Sequence, residues 1–318
     1  MKRLNNLYEK VYAIDNLVLA DGNARKGKAM QYGVKLHSLH QEDNILKLHE
    51  LLKNKTYCTS PYSTFKIYDP EERDIYRLPY YPDRIAHHAI MNVLKPIFVS
   101  TFTADTYSCI EGRGIHAASI NLRKALQDAS NTTYYLQLDI KKFYPSINHT
   151  ILKQLLRKKI KDEDMLWLLD EIINSTPGVP IGNYLSQYFA NYYLTYFDHW
   201  VKQTLGVYAY FRYADDMIIL SSSKEKLHQY RAAIKKYLFE QLNLEIKSNY
   251  RVAPVEHQGI NFVGYIHYHT HTKLRKRIKQ RFARMLHHRP SKASIASYNG
   301  WAVHANTTQL LNKLYGSI

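Results

Sequence analysis

Two adjacent aspartates between two runs of strand-forming residues constrain this chain more than any other feature. In FRYADDMIIL, Phe211 to Leu220, the segments from Val207 to Tyr213 and from Met217 to Leu220 read as paired strands, with Asp215 and Asp216 at or beside their turn. A surface hairpin uses aspartate this way for local backbone hydrogen bonds. A hairpin that presents carboxylates to a metal ion uses the same residues for another purpose, and four residues alone do not separate the two. A carboxylate partner elsewhere in the chain would.

Such a partner lies upstream. YYLQLDIKKFYPSI, beginning at Tyr134, alternates as a strand and ends that strand at Asp139. If it pairs beside the hairpin, Asp139 and Asp215 meet across the sheet with Asp216 close by. Three carboxylates in one place repel each other unless cations lie between them. Hard oxygen donors with spare coordination positions suit Mg²⁺, which keeps waters and takes substrate phosphates as further ligands. Two such ions can activate a hydroxyl nucleophile and stabilise the group that leaves in an in-line displacement.

The remaining pattern is mixed α+β. Residues 1–65 read as helical and lysine-rich, and a helix over RIAHHAIMNVLKPIF follows among short extended pieces. ILKQLLRKKIKDEDMLWLLDEIIN reads as one helical stretch, TPGVPIGNY as a loop, and SQYFANYYLTYFDHW as one buried helix. Ser222 or Ser223 caps a further helix whose apolar face is Leu227, Tyr230, Ile234, Leu238 and Leu242.

Charge narrows the partners. The chain carries 44 Lys and Arg against 27 Asp and Glu, a net charge of +17. From His257 to Ile318 there is no acidic residue at all, and TKLRKRIKQRFAR, from Thr272 to Arg284, is the densest basic run. An unrelieved block of one sign needs a counter-charge, and nucleic acid supplies it best, ahead of an anionic membrane surface or an acidic protein. With 45% hydrophobic residues the sequence is one that folds. No run approaches membrane-spanning length, MKRLNNLYEKVYAIDNL is no signal peptide, and Cys58 and Cys109 make neither a disulfide scaffold nor a four-cysteine zinc site. A reducing cytoplasm and no membrane partner are the expectation.

The ordered motifs resemble those of the reverse transcriptases. Arg73 with DRIAHHAI, Asp83 to Ile90, is similar to the first finger motif, and TYSCIEGRGIHAA, Thr106 to Ala118, to the second. LDIKKFYPSI resembles the palm strand with the first metal ligand, GVPIGNYLSQ the loop that holds the template–nucleotide pair, YADD the catalytic hairpin, and INFVGY the strand that grips the primer end. The form I-G-x-x-x-S-Q followed by FANYYL, the INFVGY strand and GWAVHANT are most similar to the reverse transcriptases of diversity-generating retroelements. Defence reverse transcriptases that copy a dedicated noncoding RNA are close to these, so both readings stay open. Two departures stand out. The second finger motif has Ile110-Glu111 where Arg-Pro is common, which shifts phosphate contact to Arg113, and Glu71 replaces a lysine two before Arg73, which leaves that contact to Arg73 with help from Lys66.

The resemblance implies a right-hand polymerase fold: a helical N-terminal extension over 1–65, fingers and palm over 66–265, and a basic helical thumb over 266–318. It implies an RNA-directed DNA polymerase of a bacterium or phage using two Mg²⁺ ions, with Mn²⁺ able to substitute. The implied metal set is Asp139, Ile140, Asp215 and Asp216, with the three aspartates catalytic. Nucleotide contact falls to Arg73, Arg84, Tyr144, Ile181, Gly182 and Gln187, Tyr144 being the sugar gate, although Arg84 beside Asp83 also suits an ion pair. Lys247 is a candidate general acid. Arg113, Lys273, Arg275, Lys276, Arg277, Lys279, Arg281 and Arg284 face nucleic acid. Implied partners are a structured noncoding RNA template, an RNA–DNA hybrid, dNTPs, and a small basic accessory protein or a second copy of the chain. Read as a whole protein, the chain leaves no room for RNase H, integrase, maturase or endonuclease domains. A non-catalytic RNA scaffold is the rival of another class, which three converging carboxylates disfavour. An RNA-synthesising polymerase is disfavoured by Tyr144. Finally, HYHTH predicts His267, His269 and His271 alternating on one strand face, for nucleic-acid contact or a solvated turn more than for zinc.

Overall fold

The computed structural model describes residues 3–68, 72–288 and 290–316, so Glu71 lies outside the described residues. The chain divides into two compact units. One comprises Met1–Phe102, Lys142–Tyr196 and Glu240–Leu244, the other Thr103–Lys141, Phe197–Phe239 and Glu245–Ile318.

The first unit is mostly helical. Tyr8–Tyr12, Ile14–Ala24, Tyr32–Leu39 and Gln41–Lys53 are helices, and Ile14–Ala24 packs on the long helix Ile85–Val99. Leu17 and Ala20, then Ile45, Leu48 and Leu52, then Ala86, Ile90 and Leu94 are buried there, at the three- and four-residue spacing that gives each helix one apolar face. Strands β1 (Ser63–Tyr68) and β2 (Glu72–Arg77) pair antiparallel as a largely exposed ribbon.

Two expected continuous helices are each broken. The first becomes His149–Lys159 and Glu163–Asn174, because Asp162 caps the second by accepting from Met165 N at 3.0 Å. The same carboxylate accepts from Leu7 N and Tyr8 N. Burial alone would raise its pKa, but these backbone donors prevail and hold it below the ordinary carboxylate range. The other divides at Leu194 into Tyr184–Tyr193 and Thr195–Gln203.

The second unit is built on an antiparallel sheet in the order β4–β5–β3–β6, with β3 Tyr134–Asp139, β4 Ala209–Tyr213, β5 Asp216–Ser221 and β6 Arg251–Pro254. Tyr135, Phe211, Ile218, Leu220 and Ala253 alternate inward and join Leu122 of helix Ile115–Ala125 in one core. A second sheet holds β7 (Ile260–Phe262), β8 (Tyr265–His267) and β9 (Thr272–Leu274). Helix Lys224–Leu242 follows the hairpin, and Ser223 caps it by accepting from Lys226 N. Helices Lys276–Leu286, Lys292–Ala302 and Thr308–Tyr315 complete the unit.

The expected alternation of the three histidines is corrected here. Strand β8 stops at His267, which is buried, while His269 and His271 lie in the turn before β9. Burial, with the Arg123 charge adding to it, pushes His267 down to about 4, so its ring is neutral.

Candidate active site

Sheet register brings two of the three aspartates face to face. β3 and β5 run antiparallel with Asp139 opposite Asp216, and Asp215 precedes it in the turn from β4. That turn places Ala214 at φ 54°, a left-handed conformation costly for a residue with a Cβ. Arg212 braces it by donating from Nη1 to Ala214 O at 2.9 Å.

Arg212 is itself locked in place. It is fully buried and donates to Asp198 from Nε at 2.8 Å and from Nη2 at 2.6 Å. Tyr210 and Thr106 add hydroxyl donors at 2.8 and 3.0 Å, so the buried carboxylate is saturated. Arg212 is not among the residues expected from the sequence, although a charged residue within a strand of apolar and aromatic side chains, here on the face opposite Phe211, is itself a signal.

Asp216 is held from the side by a second missed residue. Gln137 Nε2 donates to Asp216 Oδ1 at 3.1 Å and to the Asn261 main-chain oxygen at 3.0 Å. Asn261 Oδ1 accepts in turn from Arg275 Nε at 2.7 Å. Hydrogen bonds through Gln137 and Asn261 therefore join the hairpin to β7 and to Arg275, the residue that precedes the basic helix. Burial, opposed by Gln137 and reinforced by the charges of Asp139 and Asp215, pushes Asp216 up to about 7.

Lys247 is tied to Asp139 twice, by its backbone N–H to Asp139 O at 2.8 Å and by Nζ to Oδ1 at 3.2 Å. Ile140 is buried, with only its main-chain oxygen to offer a cation. Among the described residues no three His, Cys, Asp or Glu side chains close a metal site by themselves.

The first unit gathers the residues expected to hold the nucleotide. Tyr76 N donates to Ile181 O at 2.8 Å, which lays the 178–183 loop along β2. Gly182 has φ +125°, and a Cβ there would come within 2.4 Å of Tyr76 O, so only glycine permits this approach. Gly182 also lines a cavity of about 280 Å³ with Arg77, Arg84, His88 and Tyr184. Asp83 does not pair with Arg84. It is buried and accepts from Tyr57 and Ser60 instead. Burial, with the neighbouring Arg77 charge, lowers the Arg84 pKa. Arg73, Ile75 and Arg77 share one face of β2, so period-two spacing from Arg73 would have found Arg77. Lys66 pairs with Glu72.

Tyr144 is half-buried, and its carbonyl accepts from Val179 N, which ties the expected sugar gate to the same loop. Gln187 is exposed on helix Tyr184–Tyr193.

Of the basic residues expected at nucleic acid, Lys273, Lys276, Arg281 and Arg284 are exposed, and Arg277 and Lys279 are half-buried. Arg275 is partly withdrawn to Asn261, and Arg113 donates to Thr103 O. The GWAVHANT stretch docks on the INFVGY strand. A Cβ at Gly264 would lie 2.4 Å from the Trp301 ring, Tyr265 donates to Trp301 O, and His304 stacks on His116 at 4.0 Å.

The sequence pattern of the family described as Reverse transcriptase (RNA-dependent DNA polymerase) matches residues 70–267. The chain belongs to the reverse transcriptase family. This reverse transcriptase is 22% identical over 253 residues to Protein YkfC of Escherichia coli, an alignment covering 64% of this chain and 66% of that one. It is 22% identical to the group II intron-encoded protein LtrA of Lactococcus lactis, over 70% of this chain and 49% of that one. It thus spans from just under half to about two-thirds of these relatives' lengths. Its fold is similar to that of telomerase from Candida albicans, with a TM-score of 0.51 at 11% identity, over 76% of this chain and 54% of that one. The fold is a mixed α+β right-hand polymerase fold. Among the described residues no helix is long and apolar enough to cross a membrane.

Proposed function

We propose that this reverse transcriptase is an RNA-directed DNA polymerase that copies a structured noncoding RNA by two-metal nucleotidyl transfer. The observation that carries the reading is the register match of Asp139 with Asp216, with Asp215 in the adjoining turn. Reverse transcriptases generally use divalent metals, and this donor set fits them: burial first, and then the charges of Asp139 and Asp215, raise Asp216, and a dication relieves the repulsive part. Asp139, Asp215, Asp216 and the Ile140 main-chain oxygen would hold Mg²⁺, with waters and substrate phosphates completing the coordination. When bound, the ions lower the pKa of the primer 3′-hydroxyl and neutralise the leaving pyrophosphate.

The chain's own groups do the rest in this reading. Gln137 fixes the orientation of Asp216, and Lys247 holds Asp139 and has a proton to give to the leaving pyrophosphate. Arg73, Arg77 and Arg84 bind triphosphate oxygens through planar forks. Residues 66–265 serve as fingers and palm, 266–318 as thumb and 1–65 as a helical extension.

Primer extension on an RNA template tests both activity and sugar choice. Tyr144→Ala is expected to admit ribonucleotides into the product, because the missing ring no longer excludes the 2′-hydroxyl. An unchanged preference for dNTPs would make Tyr144 a packing residue.

The finer reading is a diversity-generating enzyme, with a small basic accessory protein as partner. Its support is Ile181, in the first of the three strings that carry that resemblance, together with the docking of the other two, GWAVHANT on INFVGY. A glutamine at 181 can hydrogen-bond beside the incoming nucleotide, whereas isoleucine has no side-chain donor or acceptor. One lost contact of about 1–2 kcal/mol lowers discrimination roughly tenfold. Sequenced products of Ile181→Gln are expected to show fewer errors, above all opposite template adenine. Equal error spectra would favour the defence reading, in which an effector or self-assembly replaces the accessory protein.

A further inference from the structure

The second unit contains an open cavity of about 410 Å³ lined by Arg123, Lys124, Tyr268, His269, His271 and Asn306 among others, with no carboxylate in its lining. Arg123 and Lys124 come from the last turn of helix Ile115–Ala125, and the aromatic residues from the turn between β8 and β9. None of these elements carries Asp139, Asp215 or Asp216.

The cavity presents donors in excess. Arg123 is half-buried and lines the cavity, and its Nε is enclosed with no hydrogen-bond partner among the described residues, so the rest of its guanidinium is what a ligand meets. Asn306 spends its side-chain oxygen on Thr272 N at 2.8 Å, which leaves its two amide hydrogens for a ligand. His269 Nε2 donates to Thr132 O at 3.1 Å, which anchors that ring in the cavity wall and leaves the cations and Asn306 as the donors that face a ligand.

Beside these donors Tyr268 and His271 stack at 4.5 Å and 10°, with the Lys273 ammonium 5.0 Å from the centre of the tyrosine ring. Cations next to a flat aromatic pair match a nucleotide, with its phosphate on the guanidinium and its base on the rings. An acidic peptide would satisfy the charges but has no base to stack.

We propose that this cavity is a phosphodiester site that seats one nucleotide of a single strand apart from the catalytic carboxylates. The strand can be template RNA or newly made DNA, which share that chemistry. Photocrosslinking of the full chain with short single-stranded RNA carrying 4-thiouridine, and with short DNA carrying 4-thiothymidine, tests it. Crosslinks mapping to Tyr268–His271 are expected in at least one arm, and the arm that reacts identifies the strand.

Arg123→Gln combined with Lys124→Gln is expected to lower that crosslink about tenfold, the loss of one charge-assisted contact. If thermal unfolding shows the double variant destabilised, Lys124→Gln alone, on an exposed side chain, is read in its place. The same crosslink in a chain carrying Asp215→Asn and Asp216→Asn reads the site independently of catalysis. Crosslinks found only elsewhere overturn the proposal. So does a yield untouched by both variants, or binding of polyglutamate in preference to either oligonucleotide.

Discussion

Changing Asp215 and Asp216 together to asparagine is expected to abolish dNTP incorporation on a primed RNA template while leaving RNA binding in place. Asparagine keeps the shape of aspartate, and an amide oxygen at 216 can still accept from Gln137. What disappears is negative charge, leaving Asp139 alone to hold cations. Losing several kcal/mol of transition-state charge stabilisation lowers the rate by about a thousandfold or more. Binding should survive, because in the proposed function the acid-free segment from His257 onward supplies phosphate contacts of its own. Stability is expected to move the other way. Asp216 has its folded pKa raised, so its ionised form opposes folding as the pH climbs through about 7, and a neutral amide removes that opposition. Without divalent ions the double variant should therefore melt no lower than the parent. Retained synthesis would sink the two-metal assignment.

The second large effect belongs to Arg212. Arg212→Met leaves the Asp198 carboxylate buried without its cation, at a cost of about 3–5 kcal/mol. For a chain of this size the melting temperature should fall by roughly 10 °C. Adding Asp198→Leu should restore much of the stability, because two well-packed apolar side chains often replace a buried pair without loss. Activity should not return with it. Both variants lack the Nη1 donor to Ala214 O, and the aspartate turn depends on that donor. Thermal melts read beside primer extension separate the two effects. A single variant with the parental melt would mean that the buried pair contributes nothing net.

These two residue groups mark how far the sequence could be read. The Asp139 strand and the hairpin were legible because strand alternation is local and the acidic pair interrupts it. Their register follows once both are strands of one sheet. The Arg212–Asp198 pair was not legible, since residues brought together from separate elements leave no periodic trace. Gln137 is similar, reading as an outward strand residue until Asp216 and Asn261 are both beside it. The helix breaks failed for the same reason. Nothing near Asp162 reveals that Leu7 and Tyr8 will donate to it. Arg275 looked like its neighbours in a basic run, and only the folded chain shows its guanidinium held by Asn261. The turn histidines were misread because a strand as short as β8 ends before its alternation can be checked.

The packing of Trp301 over Gly264 has a consequence for the nascent chain. At ordinary synthesis rates Trp301 leaves the ribosome roughly two to seven seconds after Gly264. For that interval β7 and β8 exist without the aromatic cover that Trp301 and His304 provide. The element that resembles a primer grip is thus among the last parts of this unit to mature. If the proposed function holds, the basic residues of a nascent chain meet RNA before the primer strand is covered, and capture of RNA precedes the competence to copy it.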